Sequence, residues 1–214
     1  MSDLKTPLVF TCTNESLSAI IKGLEPKPSD HILAIAGSGD QAFALLEYGC
    51  RVTAIDFSEE QIRFISRQRQ RIKQNRVRFL SEEKESEFEA ANPYYSMTIR
   101  ESRAAYFNER RVARIADSLH NLSLRHDSIS RITGTFNKMY LSNASIPQGI
   151  IFHQAPKGTI AYQAGTIHQA QEERATSTTL SQAGFRRDQG KELQLYKICL
   201  DSGFNQRPKL HQKQ

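Results

Sequence analysis

The residues best placed to do chemistry are two glycines and two aspartates. Gly37-Ser38-Gly39-Asp40 follows the apolar run at residues 31–36, and Asp56 closes a second apolar run at residues 51–56. A turn of small residues lets a ligand approach the backbone closely, and an acid about 20 residues further on can accept both ribose hydroxyls. Together they specify an adenosine-type ligand. Gly-x-Gly alone also fits a tight strand-to-helix turn that binds nothing, so Asp56 carries much of the weight. Ala42 stands where a dinucleotide fingerprint has its third glycine, and no G-x-x-x-x-G-K-[ST] occurs, which argues against a nucleoside triphosphate.

Strands and helices must hold these groups in place. Residues 31–36 read as a strand buried on both faces, as in a parallel sheet. The stretch Gln41-Ala-Phe-Ala-Leu-Leu46 favours a helix that Gly49 closes, and residues 51–56 form the next strand. Ser58 suits an N-cap with Glu59 and Glu60 in the first turn, and Ile62, Ile65 and Ile72 fall on one helical face. A short helix at about residues 16–24 precedes the turn cluster at residues 26–30. Strand, small-residue turn, helix, strand, helix predicts a doubly wound, Rossmann-like, mostly parallel α/β sheet.

Beyond residue 76 the pattern loosens. A short strand at 77–80, an acidic stretch at 82–89 and a helical region at about 96–122 predict a helical insertion at about 81–130. The sheet is expected to resume at residues 136–142 and 158–163 and to end in an antiparallel hairpin of residues 184–188 and 193–200. The whole chain, 1–214, reads as a single domain.

Composition narrows the functional classes. The 214 residues carry 29 Lys+Arg against 23 Asp+Glu, a net charge of +6, with 38% hydrophobic residues. Apolar runs fall far short of the roughly 18 residues a membrane span needs, and no signal-peptide pattern opens the chain, so a cytoplasmic location is expected. Cys12, Cys50 and Cys199 are scattered, and so are the six His, which predicts neither a disulfide framework nor a metal site. The basic run Arg63, Arg67, Arg69, Arg71, Lys73, Arg76 and Arg78 leaves two readings: a solvated face neutralised by Glu82 to Glu89, or a contact with phosphate on an anionic surface or nucleic acid.

Leu33-Ala-Ile-Ala-Gly-Ser-Gly-Asp-Gln-Ala-Phe-Ala-Leu-Leu46, followed by Val52-Thr-Ala-Ile-Asp56 and Gln61, resembles the S-adenosylmethionine site of class I methyltransferase-fold proteins. Within that superfamily the sequence is most similar to the diacylglycerol 3-amino-3-carboxypropyl transferases, the betaine-lipid synthase family. Tyr140-Leu-Ser-Asn143 resembles their Leu-Ser-Asn strand end, and Thr13-Asn14-Glu15 their N-terminal acidic motif.

The resemblance implies S-adenosylmethionine as cofactor. Gly37, Ser38, Gly39 and Asp40 would line its methionine part, Asp56 the ribose, and Phe57 or Gln61 the adenine. Ser142 and Asn143 would face the reaction centre; the alternative is a strand-end turn with Asn in a left-handed conformation. The group moved would be 3-amino-3-carboxypropyl, leaving 5′-methylthioadenosine; intramolecular cyclisation of that arm, or methyl transfer, needs the same pocket. Glu15, Tyr94 and Tyr95 are the candidate bases for an acceptor hydroxyl. Glu15 fits a helix-dipole role equally well, and Tyr94 and Tyr95 fit a cover over the core. A small molecule or a lipid is the expected acceptor, with peripheral contact at an anionic surface allowed by the basic run. A nucleic-acid-binding module with a vestigial cofactor site is the competing class.

Overall fold

The computed structural model describes residues 10–13, 15–74, 103–129, 131–142, 160–163, 185–188 and 196–200. Helix α1 (Leu17–Leu24) opens on the Ser16 side chain, which accepts from Ala19 N–H at 3.3 Å, and stops at Glu25 in a left-handed conformation, φ 45°. Strand β1 (His31–Ile35), helix α2 (Asp40–Leu46), strand β2 (Arg51–Asp56) and helix α3 (Glu59–Lys73) follow. Ser58 caps α3 by accepting from Gln61 N–H at 3.3 Å, with Glu59 and Glu60 in the first turn, where carboxylates complement the helix dipole.

Helix α4 (Glu109–Ser118) is capped by Asn108 and runs through a short 3-10 turn into β3 (Leu122–His126). Strands β4 (Lys138–Tyr140), β5 (Ile160–Gln163), β6 (Phe185–Asp188) and β7 (Tyr196–Leu200) complete one seven-stranded sheet. Its order is β3-β2-β1-β4-β5-β7-β6. The pairs among β1 to β5 are parallel, and β7 runs antiparallel to both β5 and β6.

The chain builds outward from β1 in both directions. It lays β2 and β3 on one side and β4 and β5 on the other, so the order reverses between β1 and β4. Open sheets of this kind leave a ligand crevice at the carboxyl ends of the strands flanking that reversal. The strands beneath it are rigidly held: Ile32, Leu33, Ala34, Ala54, Met139 and Tyr140 are buried, and every residue of α2 is buried as well. Ile65 and Ile72 turn inward from α3 as their spacing predicts, joined by Phe64, Gln61 and Gln68.

The insertion expected at about 81–130 needs correction, because its last part is sheet. Strand β3 pairs with β2 from Val52 opposite Leu122 to Asp56 opposite His126. It is an edge strand in which Leu122 is buried while Ser123, Arg125 and His126 are exposed, so it lacks the apolar run that marks the inner strands. The strand expected at 77–80 and the acidic stretch at 82–89 lie outside the described residues, as does the turn between β6 and β7.

Candidate active site at the strand ends

The two glycines of the turn after β1 do different work. Both have left-handed backbones, φ 47° at Gly37 and 87° at Gly39. A Cβ on Gly39 would stand 2.9 Å from Ile65 Cγ2 and 3.3 Å from Phe43 Cε2, so this glycine lets the turn pack against α3. A Cβ on Gly37 would meet no atom of the described residues within 4 Å. Gly37 therefore borders open space, as a position crossed by a ligand requires.

Asp56, at the end of β2, faces that turn. Its carboxylate accepts from Ser58 N–H at 2.9 Å and also from the backbone N–H groups of Gly37 and Phe57. Burial raises its pKa above the ordinary aspartate value, and these three donors, with His126 nearby, pull it back. A carboxylate offers about four lone-pair sites, so a position remains for a ribose hydroxyl. Beside it Phe57 is 71% exposed, and its carbonyl oxygen is 2.9 Å from His126 Nε2.

Asp40 turns inward. It is fully buried, accepting from Arg103 Nε at 2.9 Å on one oxygen and from Thr13 N–H at 2.9 Å and Ser38 Oγ at 3.1 Å on the other. Its carboxylate and the buried Ser38 hydroxyl thus brace the turn from beneath. The Gln61 amide is also committed, since its Nε2 donates to Phe10 C=O at 2.6 Å and its Oε1 accepts from Phe10 N–H at 3.3 Å. In this structure the Asp40 carboxylate and the Gln61 amide, both expected to meet the cofactor, are engaged by these protein partners.

Residues 10–13 and Glu15 lie across the carboxyl edge of the sheet as a strap. Phe10 is tied to Gln61 beyond β2, Thr13 to Asp40 beyond β1, and Glu15 to the end of β4. Glu15 is half-buried and accepts hydrogen bonds from Tyr140 Oη and, at 2.8 Å, from Ser142 Oγ. Burial raises the Glu15 pKa, while the Tyr140 and Ser142 hydroxyls act in the opposite direction. Ser142 itself holds a left-handed backbone, φ 52°, a conformation that non-glycine residues adopt at some cost. Gln41 Nε2 donates to Thr13 Oγ1 at 2.6 Å and to Tyr140 Oη at 3.2 Å, completing a polar cluster at the reversal between β1 and β4.

The structure therefore brings together Gly37, Ser38, Gly39, Asp40, Asp56, Phe57, Gln61, Glu15 and Ser142 at one edge. Tyr94, Tyr95 and Asn143 lie outside the described residues. Phe10 and Arg103 escaped sequence reasoning, and Thr13, Gln41 and Tyr140 stood in the quoted motifs without a role, because each is recruited by a partner distant in the chain. On the outer face of α3, Arg63 pairs with Glu59 at 2.8 Å and Arg67 with Glu60 at 3.5 Å, both pairs solvent-exposed.

No family model matches the sequence, and no curated protein matches it. Solved structures do. A SAM-dependent O-methyltransferase from Thermotoga maritima is 13% identical with a TM-score of 0.53, over 96% of this chain and 71% of that one. A methyltransferase from Pyrococcus furiosus is 11% identical with a TM-score of 0.52, over 89% and 84%. The chain also aligns with coclaurine N-methyltransferase at 12% identity and a TM-score of 0.43, over 69% of this chain but 34% of that longer one. The first two likenesses establish the fold, a Rossmann-like sheet of the class I methyltransferase type.

Proposed function

We propose that the chain is an S-adenosylmethionine-dependent transferase whose cofactor lies across the carboxyl ends of β1, β2 and β4. The observation that carries this reading is the pairing of Gly37, whose missing side chain leaves open space, with Asp56, whose carboxylate is held against the same turn. Gly37 would border the methionine part of the cofactor, Asp56 would take a ribose hydroxyl, and the exposed Phe57 would lie against the base. The names of the structural neighbours agree with a methyltransferase-type cofactor.

When bound, the sulfonium supplies electrophilic carbons, and the protein selects among them by what it holds in line. Such positioning is worth about 7–11 kcal/mol. Glu15 is the group we assign to the acceptor's proton. It is partly accessible, sits at the strand reversal, and has a carboxyl held above the ordinary glutamate range by burial, which makes it a better proton acceptor. Tyr140 and Ser142 fix its orientation from two sides.

Transfer of the 3-amino-3-carboxypropyl group, with a small molecule or lipid as acceptor, follows from the likeness of Thr13-Asn14-Glu15 and Tyr140-Leu-Ser-Asn143 to the betaine-lipid synthases. Methyl transfer is the second reading, favoured by the names of the structural neighbours. Incubation of the protein with S-adenosylmethionine, followed by mass spectrometry of the nucleoside, separates them. We expect 5′-methylthioadenosine; S-adenosylhomocysteine alone would replace the first reading with the second. In calorimetry, Asp56→Ala should weaken S-adenosylmethionine binding about tenfold or more, since a hydrogen bond to a charged group is worth roughly 1.5–3 kcal/mol. An unchanged affinity would show that the cofactor does not lie at Asp56.

A further inference from the structure

The exposed large hydrophobic side chains among the described residues are Phe10, 42% exposed, and Phe57, 71% exposed. They are 47 positions apart in sequence yet are carried to the same corner of the fold. Phe57 immediately precedes Ser58, the N-cap of α3, and Gln61 in the first turn of that helix grips both backbone groups of Phe10. A buried glutamine amide that pairs with a backbone N–H and C=O as a strand neighbour would is a specific device for holding one residue. It holds Phe10 within the strap, on the side of β2.

Leaving Phe57 mostly and Phe10 partly exposed at one corner forgoes some of the stabilisation that burying them would bring. The energy is recovered if a flat apolar ligand takes up the space beside them. The nearest part of the proposed cofactor is its base, because Asp56, at the ribose position, is the residue before Phe57. Resting on that cofactor reading, we infer that Phe10 is a second wall of the nucleobase subsite, opposite or beside Phe57, with Gln61 as the residue that positions it.

The inference predicts an effect confined to the nucleoside half of the ligand. Calorimetry on the whole chain with S-adenosylmethionine and with 5′-methylthioadenosine tests it, because the second ligand keeps base and ribose but lacks the amino-acid arm. Base stacking on an aromatic side chain is worth about a 5- to 150-fold difference in affinity. Phe10→Ala should weaken both ligands by a similar factor in that range, and Phe10→Leu, which keeps apolar cover without a ring, should fall between. The thermal midpoint of Phe10→Ala should fall only modestly, since the residue is already 42% exposed. Gln61→Leu, which releases the Phe10 backbone, should weaken both ligands as well.

The failures are distinguishable. Wild-type protein that binds neither ligand overturns the cofactor reading itself. Wild type that binds both, with Phe10→Ala binding as tightly, overturns the role of Phe10 and leaves that reading standing. Loss of S-adenosylmethionine binding with 5′-methylthioadenosine unaffected would place Phe10 at the amino-acid arm and refute a base contact.

Discussion

Replacing Asp40 by Asn tests whether the strap and the glycine turn share one structural support. Asp40 is fully buried, and its two oxygens receive the Arg103 guanidinium, the Thr13 N–H and the Ser38 hydroxyl. Asparagine keeps the shape but turns one oxygen into a donor. That NH2 group must then face either Arg103 Nε or the pair Thr13 and Ser38, donor against donor. At the same time the buried Arg103, 5% exposed, loses the negative charge 2.9 Å away. Breaking a buried pair by removing one partner costs about 3–5 kcal/mol. For a protein of this size each kcal/mol moves the midpoint by about 2–4 °C, so Asp40→Asn should melt roughly 6–20 °C below the wild type. Arg103→Met should cost less, because Asp40 keeps two neutral donors when Arg103 is gone. Differential scanning calorimetry and urea titration of both variants give the comparison. A loss below about 1 kcal/mol in Asp40→Asn, or a larger loss in Arg103→Met, would refute the assignment of Asp40 as the centre of this support.

Two further outcomes follow from the same corner. Gly39→Ala should destabilise by about 2–5 kcal/mol, from left-handed backbone strain of about 1–2 and overpacking against Ile65 of about 1–3, whereas Gly37→Ala carries the strain alone and should hurt S-adenosylmethionine binding more than folding; urea titration beside calorimetry separates the two effects. For Glu15 the folded-state pKa is raised above 4.5, so its contribution to stability is fully present below that value and is lost as pH rises through the folded pKa. The stability of wild type minus that of Glu15→Gln should therefore fall as the pH rises above 4.5, and a difference that stays level would contradict the burial of this carboxyl.

Features set by neighbours in the chain were legible before the structure. Ser58 caps α3 because its hydroxyl needs only the N–H three residues on, and β2 spans the expected residues because Val52 to Ile55 are buried between two strands. Gly39 and Gly37 could be picked out by type, but the different demands on them depend on Ile65, which α3 brings across. Asp40 and Gln61 are expected from the sequence to meet the ligand, and their protein partners Arg103 and Phe10 could not be read there. Such pairings, 63 and 51 positions apart, leave no local pattern to read. Strand β3 escaped for the opposite reason: one face is solvent, its run is short, and it emerges directly from a helix, so neither period is strong.

The strap also sets the order in which the site can form. Its three ties span 51, 27 and 125 positions, the last reaching from Glu15 to Tyr140. Closing a loop that long is entropically costly, and Tyr140 offers its hydroxyl only after β4 has added to β1. During synthesis the strap emerges before the strands it ties, yet its last tie waits until Tyr140 has emerged and the central strands have joined. Its docking is thus a late event, governed by contact order rather than by local propensity. The Thr13 amide, donating to Asp40, is a hydrogen-exchange reporter of that step: exchange faster than in β1 or β2 would show the strap lifting while the sheet beneath stays folded.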